Sequence, residues 1–509
     1  MKRIPHLIRP LILAALLLGS AACSERTPRP APIRFEGLPF DMPPVALPSI
    51  PERSVTLTDF GAVPDGATLN TEAFAQAIAQ LERKGGGRLV VPPGIWLSGP
   101  IELCSGIDLH LERGAVLRFS TDKKDYPIIR TSYEGREEVF RCQSPLWAEG
   151  AHDLSISGEG LIDGQGSSWR RVMRKRVPPE LWDKLVAQGR PLGATGDRCY
   201  PDSSYWRAAE AELTYPGFTP GMAEAYKSVL RPVLVALRGC DRVSLTGCTF
   251  ADSPAWCIHA LQCKDLAVRG IRVRNPAWAE NGDGIDIESS ERVLVEDSVF
   301  DCGDDAVCLK SGRDGAGRAR AVPCRQVVVR GCTVFAGHGG FVVGSEMSGG
   351  VENVSVSDCS FLGTETGLRF KSRRGRGGVV RNIHVRDIRM ADIQREAVII
   401  DLYYSDWRNS TTPLADYPPQ MELPVDETTP QFRDIWIEGL CCDGAGRAVC
   451  INGLPEMPVQ GVTIADSRFN ATRGIEICRA RDITLHGNQV SVTTGEPLWT
   501  AGVENLQSD

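Results

Sequence analysis

Residues 240–250 read CDRVSLTGCTF, and 23 residues later residues 263–273 read CKDLAVRGIRV. Both segments open on a small or polar residue, alternate apolar side chains, turn at Gly, and close on a small residue and an apolar one. The pattern returns as SERVLVEDSVF (290–300), CRQVVVRGCTV (324–334), VENVSVSDCSF (351–361), VRNIHVRDIRM (380–390), FRDIWIEGLCC (432–442), VQGVTIADSRF (459–469) and ARDITLHGNQV (480–490). Fainter copies lie at 105–116 and 151–162. Alternation with period two marks strands. Most steps between neighbouring copies fall between 21 and 30 residues, with steps of 34 and 52 as exceptions. One such unit is too small to close a core of its own, so neighbours must stack. The expected fold class is therefore all-β: a single-stranded, right-handed parallel β-helix whose longer steps are loop insertions at particular corners. A β-propeller would need about 40–45 residues per blade.

Working outward, Thr71–Lys84 carries Phe74, Ile78 and Leu81 on one face, with Asn70 as the expected N-cap and Gly85-Gly86-Gly87 as the stop. This helix is expected to plug the open end of the coil stack, where unpaired strand edges would invite association. Two stretches escape the repeat: 163–231, with Trp169, Trp182, Tyr200, Trp206 and Tyr215, and 403–431, with Tyr403, Tyr404, Trp407 and Tyr417. Aromatic insertions on a rigid scaffold are expected to shape a binding site, though packing over the coils would serve equally to explain them.

The N-terminus carries Lys2, Arg3 and Arg9, an apolar run over 11–18, and then Gly19-Ser20-Ala21-Ala22-Cys23. This reads as a secretory signal over 1–22 and not a spanning helix, which needs roughly 20 apolar residues. Ser20-Ala21-Ala22-Cys23 resembles the bacterial lipobox, with Ser20 where Leu is usual, so Cys23 is the expected lipid attachment site. Residues 23–52 are Pro-rich and read as an extended tether, leaving 53–509 as the β-helix domain.

The 509 residues are 42% hydrophobic and 24% charged, with a net charge of −7. That balance excludes a disordered chain and a generally basic nucleic-acid binder. Seventeen cysteines include no C-x-x-C pair, which speaks against a zinc ribbon. Secretion would permit disulfides, while the recurrence of Cys within the repeat suits buried, stacked thiols.

Chemistry concentrates at two acidic turns, Asn281-Gly282-Asp283-Gly284-Ile285-Asp286 and Cys302-Gly303-Asp304-Asp305-Ala306. Asp283 and Asp304 are 21 residues apart, about one coil, and stacked strands lie roughly 4.8 Å apart. Three carboxylates held so closely raise at least one pKa, which suits a glycosidase needing one protonated acid and one ionised carboxylate. Asp286, three residues on, reads as a turn acid. His338 lies between Gly337 and Gly339, open to a ligand. Arg369 and Lys371, two apart on a strand, point the same way and form a receptor for a carboxylate. Arg373, Arg374 and Arg376 extend that basic stretch.

Taken in order, Asn281-Gly282-Asp283, Gly303-Asp304-Asp305, Gly337-His338-Gly339 and Arg369-Phe370-Lys371 resemble the motifs of glycoside hydrolase family 28, the polygalacturonases, over about residues 53–490. Asp59-Phe60-Gly61-Ala62 and Ile162-Asp163-Gly164-Gln165-Gly166 agree. The resemblance implies that Asp304 is the general acid, that Asp283 and Asp305 activate water with inversion at the anomeric carbon, and that His338 supports the acid. Arg369 and Lys371 would grip a galacturonate carboxylate. Gly282 stands where Thr is common in plant and fungal members, a change expected to loosen that turn. The segment Gly344-Ser345-Glu346-Met347-Ser348-Gly349-Gly350 resembles exo-acting bacterial members, and the two insertions are expected to wall one end of the groove.

The expected activity is hydrolysis of α-1,4-galacturonosyl linkages of pectin or polygalacturonate, exo in mode. A rhamnogalacturonan or xylogalacturonan hydrolase, a calcium-dependent pectate lyase and a non-catalytic polysaccharide-binding β-helix are the alternatives. No metal or organic cofactor is implied, because carboxylates suffice for the proton transfers. The expected partner is a pectic polysaccharide or oligogalacturonide, with no nucleic acid and no membrane contact beyond a lipid anchor. The expected location is the periplasm or outer surface of a bacterium.

Overall fold

The computed structural model describes residues 29–404, 412–416 and 421–509. Cys23, Trp407 and Tyr417 lie outside the described residues. Thirty-four strands join in one parallel sheet wound as a right-handed β-helix. Each coil contributes to three faces. Face A holds the repeat strands, such as Asp241–Thr246, Lys264–Arg269, Glu291–Glu296 and Cys324–Arg330. Face B holds Thr249–Ala251, Arg272–Arg274, Val299–Asp301 and Thr333–Ala336. Face C holds Ile258–Leu261, Ile285–Glu288, Asp305–Lys310, Gly339–Gly344 and Leu368–Lys371.

The repeat explains the corners. The Gly or Asp of each copy ends face A, and Gly247, Gly270, Asp297, Gly331, Asp358, Asp387, Gly439, Asp466 and Gly487 all adopt positive φ. Gly and Asp are the residues that tolerate this region. At Gly331 the space is also short, because a Cβ would lie 2.5 Å from Asp297 Oδ1. In all nine copies two residues separate the face A and face B strands. Alternate side chains point inward and stack coil on coil: Val243, Leu266, Val293, Val327, Val354 and Ile383 form one such column, all fully buried. Each such side chain contributes on the order of 1.5–3 kcal/mol by leaving water. The core they build is continuous from Leu57 to Leu485.

The sixteen described cysteines are all free thiols and fourteen of them are buried. Cys240, Cys263 and Cys324 occupy the first position of successive repeats, with Ser290 filling one rung, so the spacing reflects a ladder of small side chains.

The helix spans Thr71–Arg83 and buries Phe74, Ile78 and Leu81 against the first coils. Asn70 precedes it as expected but makes no side-chain cap; its amide instead bridges Val63, Thr68 and Leu97. The Pro-rich segment differs from a free tether. Residues 33–49 run over the outside of face A, with Val45 and Met42 buried against Ala267, Leu294 and Val328. Asp265 and Asp153 accept hydrogen bonds from the backbone NH groups of Ala46 and Ser49.

Insertions occur at two corners, both beside face C. Between faces B and C lie the antiparallel hairpin Ile128–Tyr133/Arg136–Cys142 and the segment 163–231. Between faces C and A lie the helix Asp314–Arg320, which accounts for the 34-residue step, and the segment beginning at Tyr403, which accounts for the 52-residue step. Face C is thus the floor of a trough.

Candidate active site

The register on face C assembles the site. Ile285 pairs with Val307, Val307 with Phe341, and Phe341 with Leu368, in steps of 22, 34 and 27 residues. A 22-residue step sets Asp283 opposite Asp305, one residue away from the pairing its distance to Asp304 suggested. Asp305 in turn pairs with Gly339, and His338 NH donates to Asp304 O at 2.9 Å. Asp283, Asp304, Asp305 and His338 therefore gather at one end of the face C strands, and Arg369 and Lys371, farther along, reach back to Asp305. Oxygens from Asp283, Asp304 and Asp305 lie within 4.8 Å of one another.

The glycines permit this crowding. A Cβ at Gly303 would lie 2.3 Å from Ala279 O, and one at Gly282 would lie 2.7 Å from Ala279 Cβ. Gly282 does not loosen its turn: its NH donates to Ala279 O at 2.9 Å, and Asn275 Nδ2 donates to its carbonyl at 3.1 Å.

The three carboxyls differ electrostatically. Asp305 has 2% of its side chain exposed and accepts from Lys371 Nζ at 2.6 Å and Arg369 Nη1 at 3.3 Å. Burial pushes its pKa up, but Lys371 and then Arg369 and Lys310 outweigh burial and hold it far below the usual range. Asp304 Oδ1 lies 3.0 Å from His338 Nδ1. Burial again opposes ionisation, and the His338 charge and hydrogen bond override it, leaving Asp304 lowered. Burial also lowers His338, whereas the Asp304 charge, their hydrogen bond and Glu365 raise it to a net upward shift. His338 Nε2 faces Glu365 Oε1 at 3.5 Å. Asp283 is the reverse case. Burial first, then Asp286 and Asp304, raise it well above the carboxylate range, and its Oδ1 has no hydrogen-bond partner among the described residues. Asp283 and Asp286 are thus both raised, by burial first and by neighbouring carboxylates next, whereas Asp304 is lowered beside a raised His338.

Two residues left unassigned in the sequence belong to the site. Asp286 is fully buried on the strand Ile285–Glu288 and is no turn acid; its Oδ1 lies 3.5 Å from Lys310 Nζ. Lys310 also donates to Glu346 at 3.0 Å, and that cation, followed by Arg376 and Lys371, brings Glu346 down to about 2 against its burial. Trp256 and Tyr404 line the same cavity of about 300 Å³.

The walls differ from those expected. Trp169 and Trp182 of the 163–231 insertion are buried in local clusters, Tyr200 is buried beside Tyr205, and none of the three lines this cavity. Tyr404 of the second insertion does line it, and the hairpin 128–142 adds Glu134 to its wall. Its tip, Glu134-Gly135, crosses to the loop after the Asp305–Lys310 strand, where Arg313 NH donates to Gly135 O at 3.1 Å. Glu137 pairs with Arg320, which also meets Glu288 at 2.8 Å. The signal was present as Glu-Gly between two alternating runs: both residues take positive φ, as a two-residue hairpin of type I′ requires.

Residues 219–421 match the sequence family described as glycosyl hydrolases family 28. A probable polygalacturonase of Vitis vinifera is 30% identical over 81% of this chain and 73% of its own length. The chain belongs to glycosyl hydrolases family 28. Another relative is an exo-poly-alpha-D-galacturonosidase of Dickeya chrysanthemi, 28% identical over 82% of this chain and 70% of its own. Among solved structures, a hyperthermoactive exopolygalacturonase of Thermotoga maritima superposes with a TM-score of 0.67 at 30% identity, covering 91% of this chain and 93% of that one. The family 28 exopolygalacturonase of Yersinia enterocolitica gives 0.73 at 25% identity, covering 90% and 78%. The family 28 motifs of this chain fall at the gathered end of face C.

Proposed function

We propose that this family 28 protein hydrolyses α-1,4-galacturonosyl linkages of polygalacturonate, releasing sugars from a chain end. The observation that carries this reading is a carboxyl–imidazole pair, Asp304–His338, set beside a carboxylate, Asp305, that two cations keep ionised.

In this mechanism Asp304 delivers a proton to the glycosidic oxygen. His338 holds that proton at Nδ1, 3.0 Å from Asp304 Oδ1. An anionic sugar entering the pocket adds negative charge and displaces water, both of which raise the proton affinity of Asp304. The proton then passes from the imidazole to the carboxyl and on to the leaving oxygen. Asp305, the ionised member, deprotonates the attacking water, and Asp283 orients it. Arg369 and Lys371 serve the substrate carboxylate while remaining paired to Asp305. Oxygens within 4.8 Å are closer than the roughly 6.5–9.5 Å usual for inverting enzymes. Inversion is therefore carried by the family resemblance and is checked by following the product anomer by NMR.

The hairpin tip across the trough supports attack at chain ends, since a groove blocked on one side admits a terminus and not a continuous polymer. Export through the 1–22 signal, with Cys23 lipidated, would place the enzyme at the periplasm or outer surface, where pectic oligomers arrive. Product analysis on polygalacturonate tests the whole reading. Monomer or dimer from the outset supports it; a ladder of oligomers overturns the exo mode, and no new reducing ends overturns the hydrolase.

A further inference from the structure

The cavity over face C is lined by five cations, Lys310, Arg313, Lys371, Arg373 and Arg376. Four are already answered by carboxylates of the protein. Lys371 meets Asp305, Lys310 meets Glu346, Arg376 meets Asp314 and Glu346, and Arg313 meets Asp314 at 3.4 Å. Arg374, the next residue along, is turned to Glu456 at 2.6 Å. Arg373 is different. It is half-buried and lines the cavity, and no carboxylate among the described residues pairs with it. Its backbone is fixed nonetheless, bridging antiparallel to Tyr403, while Tyr404 NH donates to Ser372 O at 2.9 Å. A guanidinium on a fixed backbone at the wall of this cavity, without a carboxylate partner among the described residues, is prepared for an external anion. Its planar fork matches the two oxygens of a carboxylate.

We infer that Arg373 receives a second substrate carboxylate, separate from the one met by Arg369 and Lys371. The inference rests on the galacturonan reading above and extends it. Arg369, Lys371 and Arg373 alternate along one stretch that runs from the acid cluster across face C to its far corner. A disaccharide of uronic acids carries two carboxylates, one per ring. One would lie on the pair nearest Asp305, the other on Arg373 at the enclosed end beneath Glu134 and Arg313. Arg373 is thus a specificity-determining residue that makes the pocket demand acidic sugar at two positions.

Methyl esterification removes the charge of one carboxylate without removing the sugar, so it tests the assignment directly. The unaltered protein, Arg373→Gln and Arg373→Lys are compared on digalacturonate and on its two singly methyl-esterified forms. Reducing ends give kcat/KM, and calorimetric titration with digalacturonate gives Kd. Thermal melts establish that each variant is folded. Arg373→Gln should weaken kcat/KM on the free acid by roughly 10- to 100-fold. It should treat the ester at one ring as it treats the acid, while still discriminating at the other ring. Arg373→Lys should recover part of the loss. Retained discrimination at both rings, or its collapse at both together, overturns the inference. Absence of turnover of polygalacturonate by the unaltered protein overturns the hydrolase reading instead, and the calorimetric comparison on digalacturonate still decides whether Arg373 receives an anion.

Discussion

Lys371 Nζ lies 2.6 Å from Asp305 Oδ2, so a cation matched to a substrate carboxylate already neutralises a carboxylate of the protein. Both side chains are more than nine-tenths buried. Removing one partner of such a pair leaves the other charge uncompensated, a loss of about 3 kcal/mol. Lys371→Met should therefore destabilise the fold by about that amount at neutral pH as well as raise KM. The folded pKa of Asp305 is depressed, so its contribution is present above its unfolded value of 3.8 and fades as pH falls through the folded one. The gap in stability between Lys371→Met and the unaltered protein should narrow in acid. A constant gap in denaturant titrations from pH 7 down to pH 3 would refute this account.

Asp304→Asn should keep the fold and lose roughly 10²- to 10⁴-fold in kcat, the usual share of a general acid. Alkaline loss of activity should follow His338, whose pKa is raised above 6.5 mainly by Asp304 in opposition to burial. The shared proton is present below that folded pKa and departs as pH rises through it. Stability carries the same sign: the His338 contribution is complete below pH 6.5 and disappears above the folded value. A pH–rate profile is the measurement. Glu365→Gln should move its alkaline limb to lower pH, and an unmoved limb would separate the limb from His338.

Asp283→Asn should abolish most turnover yet stabilise the protein. The folded carboxyl keeps its proton well above 3.8, whereas the unfolded one ionises there. The penalty for the buried acid thus builds as pH rises above 3.8, and the neutral amide escapes it. Tm should rise more at pH 7 than at pH 4. A lower Tm at pH 7 would show that Asp283 is held by favourable contacts.

A divalent cation would find three carboxyl oxygens within 4.8 Å. It would have to displace Lys371 and Arg369 from Asp305 and a proton from Asp283. Chelation should leave the rate within twofold, with no ultraviolet-absorbing product. Loss of activity on chelation, restored by calcium, would point to elimination.

Shortening the hairpin by one residue pair, so that its Glu134-Gly135 tip is drawn back, should open the trough. Gly135 approaches the neighbouring loop so closely that a Cβ would lie 2.7 Å from Arg313 N. The product pattern on polygalacturonate should move from monomer or dimer toward longer oligomers. An unchanged pattern would place the block elsewhere.

Much of this molecule was legible in the sequence because one rule repeats. Val243, Leu266 and Val293 alternate inward, and Gly247, Gly270 and Asp297 turn, so the stacking of parallel coils followed from the spacing. The four motif segments fell on one face for the same reason. The register was less accessible. Asp283 sits in a turn before its strand, where residues are not bound to the ladder; it meets the Asp304/Asp305 pair as the spacing suggests, but which of the two lies opposite it depends on a step of 21 or 22 residues. The hairpin Ile128–Tyr133/Arg136–Cys142 alternates like a coil strand, and periodicity does not separate an antiparallel excursion from a rung. Asp286 reads as a turn acid and Lys310 as an unassigned cation after the acid doublet, and only the burial of face C beneath its insertions brings the two together. The trailing arginines looked alike in sequence; loop geometry turns Arg374 to Glu456 and Arg376 to Asp314 and leaves Arg373 without a carboxylate among the described residues.

The two-residue corner between faces A and B has a consequence for how such enzymes diversify. Nine successive corners accept no added length, because each must pass through a left-handed residue and re-enter the stack at once. Chain length can vary freely only on the two edges that border the trough. Insertions and deletions that accumulate over time are thereby funnelled toward the substrate, and a scaffold that resists remodelling elsewhere concentrates novelty where a sugar chain will meet it.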